Sequence, residues 1–201
     1  MNKKEKDKKI KEIENEIINL KKSPLYKYRT ENKYFPVVGE GSCDSRVMFI
    51  GEAPGRNEAK TGRPFCGAAG RILDELLSGA KIKREEVYIT NIVKDRPPEN
   101  RDPTPKEIEV YGPFLDRQIE IIKPEIIATL GRYSMKYILE KFGLQNKIKP
   151  ISEMHGKYLE TKASYGKIKI MILYHPCVAI YNAKSKDVLK KDIKIIQKIL
   201  K

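Results

Sequence analysis

Three polar side chains stand within or just after apolar runs, and together they offer acid–base and hydrogen-bonding chemistry. Glu52 follows an apolar run that closes with Gly51, Asn91 lies within the run YITNIV, and His175 follows the run IMILY. A carboxylate accepts protons, an imidazole titrates near neutral pH, and an amide presents one acceptor and two donors to the edge of a nucleobase. These residue types indicate a site for a polar ligand.

The segments that carry these residues alternate between strand and helix. The predicted strands are 46–51, 86–93, 125–131 and the end of a hairpin over 153–176, and the predicted helices are 68–80, 105–123, 132–143 and 185–201. This alternation predicts an α/β fold whose parallel sheet is covered by helices on both faces. Ligands of open parallel sheets bind beyond the carboxyl ends of the strands, which is where Glu52, Asn91 and His175 would meet.

Two segments precede this alternation. Residues 1–22 are predicted to form an N-terminal amphipathic helix whose isoleucine stripe packs on the domain. The main domain is predicted to span 23–201. Its first part, residues 23–42, is broken up by prolines and glycines and is predicted to be irregular.

The composition favours a polyanionic partner. The chain has 41 Lys and Arg against 27 Asp and Glu, a formal net charge of +14, which attracts nucleic acid or an acidic membrane surface through counterion release. Because lysine is abundant throughout, a solvated lysine-rich surface is the alternative. A membrane-spanning helix needs about 18 consecutive apolar residues, and neither such a run nor a signal-peptide core is present. We therefore expect an intracellular, cytoplasmic protein.

The cysteines and histidines do not form a recognisable ligand pattern. Cys43, Cys66 and Cys177 are far apart and include no CxxC pair, so reduced thiols are expected without a disulfide framework. With no HxxxH or Cys/His cluster, no metal ligands are predicted. His155 is not predicted to lie near other candidate site residues and is interpreted as structural.

The glycine-rich segment GEAPG after the first strand has two interpretations. It has neither the GK[ST] of a P-loop nor GxGxxG spacing, so it supports phosphate binding only weakly. In one interpretation its backbone N–H groups and carboxylates face a flat ligand. In the other it is a turn, and the negative charge of Glu58 stabilises the N-terminus of the next helix. Phe65 is likewise either a ring that stacks on a base or part of the core.

Several segments, in order along the chain, resemble the type-4 uracil-DNA glycosylases. They are GEAPGRNEAKTGRPFCGAAGRILDELL, YITNIVKDRPPENRDPTPKEIEVYGPFL, IIATLG and YHPCVAI, and the likeness spans about residues 23–200. The resemblance implies a three-layer α/β sandwich around a central four-stranded parallel sheet. The activity that the resemblance implies is hydrolysis of the N-glycosidic bond of uracil in DNA, the first step of base excision repair.

The resemblance also implies which residues act on the bond. Glu52 would lie, with Gly51 and Ala53, against a flipped uracil and the attacking water. His175 would donate a hydrogen bond to the uracil O2 and so stabilise the leaving anion. Glu58 occupies the second acidic position of the first motif and is included among the candidate catalytic residues.

Recognition of the base and of the duplex is implied in the same way. Phe65 would stack on the uracil ring, and Asn91 would read its O4 and N3–H edge. Tyr181 stands where relatives often carry arginine, which implies a weaker phosphate contact. A wedge into the minor groove would be formed by Pro176, Cys177, Val178, Ala179 and Ile180.

One feature of the family is missing from this sequence. Its members usually bind a 4Fe-4S cluster through four cysteines, and those positions here are Leu20, Ser23, Asp95 and Tyr111. We therefore expect no iron–sulfur cluster and no other cofactor. The loop after Asn91 must then be fixed by other means, such as Asp95 with a nearby basic residue.

Three hypotheses of function follow. The first is a monofunctional, monomeric uracil-DNA glycosylase whose partner is uracil-containing DNA. The second, motivated by the lost cluster ligands, is a degenerate relative that binds DNA or a damaged base without turnover. The third is a glycosylase for another deaminated base such as hypoxanthine, although the Asn91 amide favours uracil or a close analogue.

Overall fold

A six-stranded sheet runs through the middle of the protein. The computed structural model describes residues 1–200, without the side chains of Tyr181 and Ala183. The order of the strands across the sheet is β1-β3-β2-β4-β6-β5. They are β1 (Glu40–Gly41), β2 (Val47–Gly51), β3 (Tyr88–Asn91), β4 (Ile126–Leu130), β5 (Tyr158–Ala163) and β6 (Gly166–Leu173).

The four inner strands, β3, β2, β4 and β6, are parallel to one another, and the edge strands β1 and β5 are antiparallel to their neighbours. The predicted four-stranded parallel sheet is thus confirmed as the centre of a larger one. Every residue of β2 and of β4 is buried, as expected of strands that are covered on both faces. β5 and β6 form the predicted hairpin, whereas β1 is too short to leave a pattern in the sequence.

Helices cover both faces of the sheet and complete the predicted three-layer α/β sandwich. On one face Phe49 packs in a buried cluster with Leu73 and Ile193, and on the other Met48 packs with Leu115. The helices are α1 (Lys3–Ile18), α2 (Tyr26–Glu31), α3 (Arg56–Thr61), α4 (Ala68–Gly79), α5 (Pro105–Ile122), α6 (Arg132–Lys141), α7 (Ile151–Met154), α8 (Val178–Tyr181) and α9 (Ala183–Ile199). Within the described residues, none of them combines the length and the apolar composition that crossing a membrane requires.

The N-terminal helix lies against the domain. α1 begins with a capping box between Asn2 and Glu5 and ends at Ile18, short of residue 22. Ile13 and Ile17 have 0% of their surface exposed, because they pack in a third cluster with residues of α5. The buried isoleucine stripe explains why this lysine-rich segment is a packed helix.

Residues 23–42 are not irregular throughout, which corrects the sequence prediction. They contain both α2 and β1. α2 has only six residues, too few for an amphipathic period to be recognised, and a helix this short depends on tertiary contacts. One such contact comes from Arg29, which is 5% exposed.

The register of the sheet brings the carboxyl ends of the inner strands to one edge. Gly51 at the end of β2 lies opposite Asn91 at the end of β3, and Leu130 at the end of β4 lies opposite Leu173 at the end of β6. Glu52 directly follows β2, and His175 lies two residues beyond the end of β6. Both residues therefore lie at this edge.

Candidate active site

A cleft of about 450 Å³ opens at this edge of the sheet, within the range of small-molecule sites. It brings together the carboxylate, the amide and the imidazole that the topology predicts to meet. The residues predicted for the site that line the cleft are Glu52, Ala53, Glu58, Phe65, Asn91, His175 and Cys177.

Gly51, Asn91 and Phe65 are in close contact at the floor of the cleft. A Cβ atom added to Gly51 would lie 2.3 Å from Asn91 Oδ1 and 2.7 Å from Phe65 Cζ. Both separations are far below van der Waals contact, so only glycine lets the amide and the phenyl ring approach the backbone here. Gly51, which was predicted to lie against the ligand, therefore makes room for two other site residues.

The main chain of Asn91 is held by a hydrogen bond, whereas its side-chain amide has no partner within the part of the chain that the structure describes. Its main-chain carbonyl accepts a hydrogen bond from Lys94 Nζ at 2.7 Å. Lys94 Nζ also donates to Thr90 Oγ1 and to Gln118 Oε1, and burial lowers the pKa of Lys94. Asn91 as a whole residue is 2% exposed and lines the cleft, and among the described residues its side chain has no hydrogen-bond partner. An amide without a partner that lines a cleft is available to a ligand.

Phe65 owes its position to Glu58 and to a strained backbone. Glu58 Oε1 accepts hydrogen bonds from the main-chain N–H groups of Cys66 at 3.0 Å and Gly67 at 2.8 Å, just before α4 begins. Phe65 itself has a left-handed φ of 47°, rare for a bulky residue and typical of functional sites. Glu58 thus contacts the helix start, as in the second interpretation of this loop, and orients the ring that lines the cleft.

Glu52 is a partly buried carboxylate that makes no hydrogen bond to another described side chain. Its main-chain carbonyl accepts a hydrogen bond from Val93 N at 3.0 Å, which fixes the residue beyond the end of β2. Burial, together with the charge of Asp102, raises the pKa of Glu52 to about 7, against an opposing effect of Arg132. The carboxylate therefore gains or loses its proton near neutral pH, the range suited to a general base.

His175 is a neutral imidazole with an assignable tautomer. The N–H of Cys177 donates to Nδ1 of His175 at 3.2 Å, so Nδ1 is the acceptor and Nε2 carries the proton. Burial lowers the pKa of His175 to about 4, against the opposing charge of Glu58. The imidazole lies beside the Phe65 ring, with centroids 5.7 Å apart, and offers one N–H donor.

The segment predicted to wedge into DNA is a short helix, α8, with the residues just before it. Pro176 and Ala179 are buried and Val178 is partly buried, so these three shape the segment. Cys177 lines the cleft. Ile180 is 41% exposed and is the large apolar side chain available to a partner. The side chain of Tyr181 lies outside the described part of the chain.

The four positions that correspond to cluster cysteines lie together but do not fit an iron–sulfur cluster. Ser23 Oγ is 2.7 Å from the Tyr111 hydroxyl, which donates to Asp95 Oδ2 at 2.5 Å, and Leu20 packs in the same buried cluster as Tyr111. Iron–sulfur clusters are held by thiolates, whereas these residues supply three oxygen groups already bonded to one another. In the part of the chain that the structure describes, no three His, Cys, Asp or Glu side chains could hold a metal ion.

Two polar residues of the cleft, Asn100 and Arg132, were not predicted. Arg132 follows Gly131 at the end of β4, so the rule that pointed to Glu52 could have found it. Asn100 lies in the proline-rich loop with a φ of 55°, and Arg96 Nε holds its Oδ1 at 2.8 Å. No local pattern indicates that this loop folds back over the cleft.

Other polar groups lie away from the cleft. His155, interpreted as structural, has its Nδ1 2.7 Å from Asp192 Oδ2 and stacks on Tyr174 with ring centroids 4.3 Å apart. A larger cleft, about 670 Å³, lies at the opposite end of the sheet between Glu125 and Lys169. Its walls combine lysine and glutamate side chains with Thr161 and three isoleucines.

Comparison with known proteins agrees with this geometry. The family model described as the uracil DNA glycosylase superfamily matches residues 38–197. The chain is 44% identical to the type-4 uracil-DNA glycosylase of Sulfurisphaera tokodaii, over 94% of this chain and 84% of that protein. It is 41% identical to the enzyme of the same name from Archaeoglobus fulgidus, over 92% and 90% of the two chains.

A third similar protein is the type-4 uracil-DNA glycosylase of Saccharolobus solfataricus, 41% identical over 94% of this chain and 85% of that protein. The chain therefore belongs to the uracil DNA glycosylase superfamily and, within it, to the type-4 enzymes, as its motifs predict.

Proposed function

We propose that this protein removes uracil from DNA by hydrolysing the N-glycosidic bond, and that the residues of the cleft carry the reaction. The observation that carries the proposal is the meeting of an unpartnered Asn91 amide, the Phe65 ring and the Nε2–H of His175 within one cleft. A flat heterocycle with carbonyl and N–H groups on its edge matches these groups. The names of the type-4 relatives supply the identity of that heterocycle.

Binding begins with extrusion of the nucleotide, because a base inside a duplex cannot enter the cleft. The uracil ring stacks on Phe65, and the Asn91 amide donates to O4 and accepts from N3–H. The contact between Gly51, Asn91 and Phe65 fixes the angle between the stacking and the hydrogen-bonding surfaces. Discrimination against cytosine follows, since a base with a donor at position 4 would leave the amide donor opposite another donor.

Cleavage adds water across the bond between C1′ and N1. The bonding electrons leave with the base, so negative charge develops on uracil while the sugar becomes oxocarbenium-like. His175 Nε2–H donates to O2 and stabilises that charge as it forms. Because the imidazole is neutral, it acts as a hydrogen-bond donor and keeps its proton.

Glu52 acts on the other side of the bond. Its carboxylate accepts a hydrogen bond from the attacking water and faces the positive charge that develops on the sugar. The hydroxyl of that water joins C1′ and its proton passes to the carboxylate, before solvent carries it to the released base. Glu52 must be ionised to do this, so its pKa of about 7 sets the pH range of the activity.

The remaining properties concern the partner and the setting. The net charge of +14 favours contacts with DNA phosphates, and Ile180 fills the space left in the duplex by the flipped nucleotide. The protein works as a monomer, in the cytoplasm with the genome, without a cofactor. A steep decrease in DNA affinity with added salt is expected from the phosphate contacts.

The test uses an oligonucleotide with a single uracil, incubated with the protein and then treated with alkali. Strand cleavage and release of free uracil are expected. Binding without an abasic site would support the degenerate relative instead. Cleavage at inosine but not at uracil would support the hypoxanthine hypothesis.

A further inference from the structure

A chain of buried hydrogen bonds joins three of the four positions that correspond to cluster cysteines. The Ser23 hydroxyl lies 2.7 Å from the Tyr111 hydroxyl. Tyr111 donates its only proton to Asp95 Oδ2 at 2.5 Å, so Ser23 is the donor to Tyr111. The opposite oxygen of Asp95 accepts from Arg29 Nη1 at 3.2 Å. We refer to these four residues as the polar lock.

The polar lock connects segments that are distant in sequence. Arg29 of α2 also donates to the carbonyls of Ile17 at 3.0 Å and Ile18 at 2.6 Å at the end of α1. The lock thus cross-links α1, α2, α5 and the loop after β3. Arg29 and Asp95 are 5% and 1% exposed. A buried ion pair in which every charge has partners makes a rigid link, and removal of one partner leaves the other uncompensated.

The loop that the lock holds is bonded directly to the catalytic edge of the sheet. Two residues before Asp95, the N–H of Val93 donates to the carbonyl of Glu52 at 3.0 Å, and the preceding N–H of Ile92 donates to Gly51 at 3.1 Å. A shift of the loop therefore moves the backbone that carries Glu52.

The next residue extends the same link to the other wall of the cleft. Arg96 donates to the hydroxyl of Tyr28 in α2 at 2.9 Å and to Asn100 Oδ1 at 2.8 Å. Asn100 lines the cleft. One short helix thus holds two successive loop residues, Asp95 through Arg29 and Arg96 through Tyr28.

We propose that the polar lock replaces the iron–sulfur cluster of the family as the cross-link that positions the loop after Asn91, so that Asp95 and Tyr111 are positioning residues for Glu52 and Asn100. The proposal rests on the proposed glycosylase function. A cluster would cross-link the same positions through thiolates. Here the cross-link consists of hydrogen bonds and one ion pair, and it requires no metal.

The test compares Tyr111→Phe and Asp95→Asn with Glu16→Gln. Tyr111→Phe removes one hydroxyl and leaves the Arg29–Asp95 pair in place, so the variant is expected to fold. Glu16 also links α1 to α5, through an exposed ion pair with Arg117 at 2.6 Å, but it does not reach the loop. Three quantities are measured for each variant, well below its melting temperature. They are the single-turnover rate of uracil release, the affinity for DNA, and the rate of hydrogen exchange in peptides that cover residues 92–101.

The lock variants are expected to release uracil about 10- to 100-fold more slowly, the scale of a small misplacement of catalytic groups. Their DNA affinity is expected to change little, and exchange in residues 92–101 to accelerate. Glu16→Gln is expected to match the wild type in all three. A Tyr111→Phe variant with wild-type rate and exchange would overturn the proposal, as would about four irons per purified chain. An inactive wild type would instead refute the proposed function.

Discussion

The N–H of Cys177 donates a hydrogen bond to Nδ1 of His175 at 3.2 Å. This contact assigns the imidazole proton to Nε2. It also explains why a histidine with a pKa of about 4 is suited to the reaction, since a neutral donor at an oxygen that becomes negative stabilises the transition state more than the ground state.

Replacement of His175 by alanine is expected to slow uracil release by about 10²–10³-fold, the usual effect of losing one donor to a developing oxyanion. DNA affinity is expected to change little, because most of it comes from phosphate contacts. Single-turnover kinetics and a DNA titration check both values. A parallel loss of affinity and rate would show that His175 serves ground-state binding.

Gly51→Ala is expected to abolish most of the activity while the protein still folds. The new methyl group would displace Asn91 Oδ1 or the Phe65 ring, and neither can move without changing the cleft. Gly79→Ala is the matched control, because a Cβ there has no heavy atom within 4 Å; it is expected to retain full activity. Thermal unfolding and uracil release measure the two effects separately, and an active Gly51→Ala variant would refute the assigned contact.

The rate of uracil release is expected to rise with pH through about 7, because the Glu52 carboxylate is the active form and its pKa lies there. Below that value the rate should fall about tenfold per pH unit. Glu52→Gln is expected to be much slower and to lose this dependence. A wild-type profile that is flat between pH 5 and about 8 would contradict the role of Glu52.

Glu52 also makes stability depend on pH in a predictable direction. Its pKa is about 7 in the folded protein and 4.5 when unperturbed, so the folded state binds the extra proton between these values. The cost of ionising Glu52 therefore appears as pH rises from 4.5 to about 7. Glu52→Gln is expected to be more stable than wild type at pH 8, by about 1 kcal/mol after allowance for solvent screening, and no more stable at pH 4. Melting temperatures at both pH values measure the difference.

The sequence was sufficient to locate the candidate site because the site follows from topology. Alternating strands and helices predict a parallel sheet, and the carboxyl ends of its strands bring Glu52, Asn91 and His175 to one edge. None of these placements requires knowledge of side-chain packing. The edge strand β1 and the exact ends of the helices were less accessible; β1 is two residues long and pairs only through its backbone.

Contacts between distant residues could not be predicted in this way. Asp95 was expected to pair with a basic residue, but its partner Arg29 lies 66 positions away, in a helix too short to be recognised. Asn100 reaches the cleft because Arg96 and two consecutive left-handed residues turn the proline-rich loop back over it. Such turns depend on tertiary contacts that no local pattern encodes.

Excision of uracil by this cleft is tested by single-turnover kinetics on a uracil-containing oligonucleotide with the wild type, Asn91→Ala and the exposed-surface control Asn146→Ala. The wild type and the control are expected to release free uracil. Asn91→Ala is expected to be slower by about 100-fold or more, because the amide that reads the base edge is gone while the phosphate contacts persist. A wild-type rate in Asn91→Ala, or no uracil release by the wild type, would refute uracil excision through Asn91.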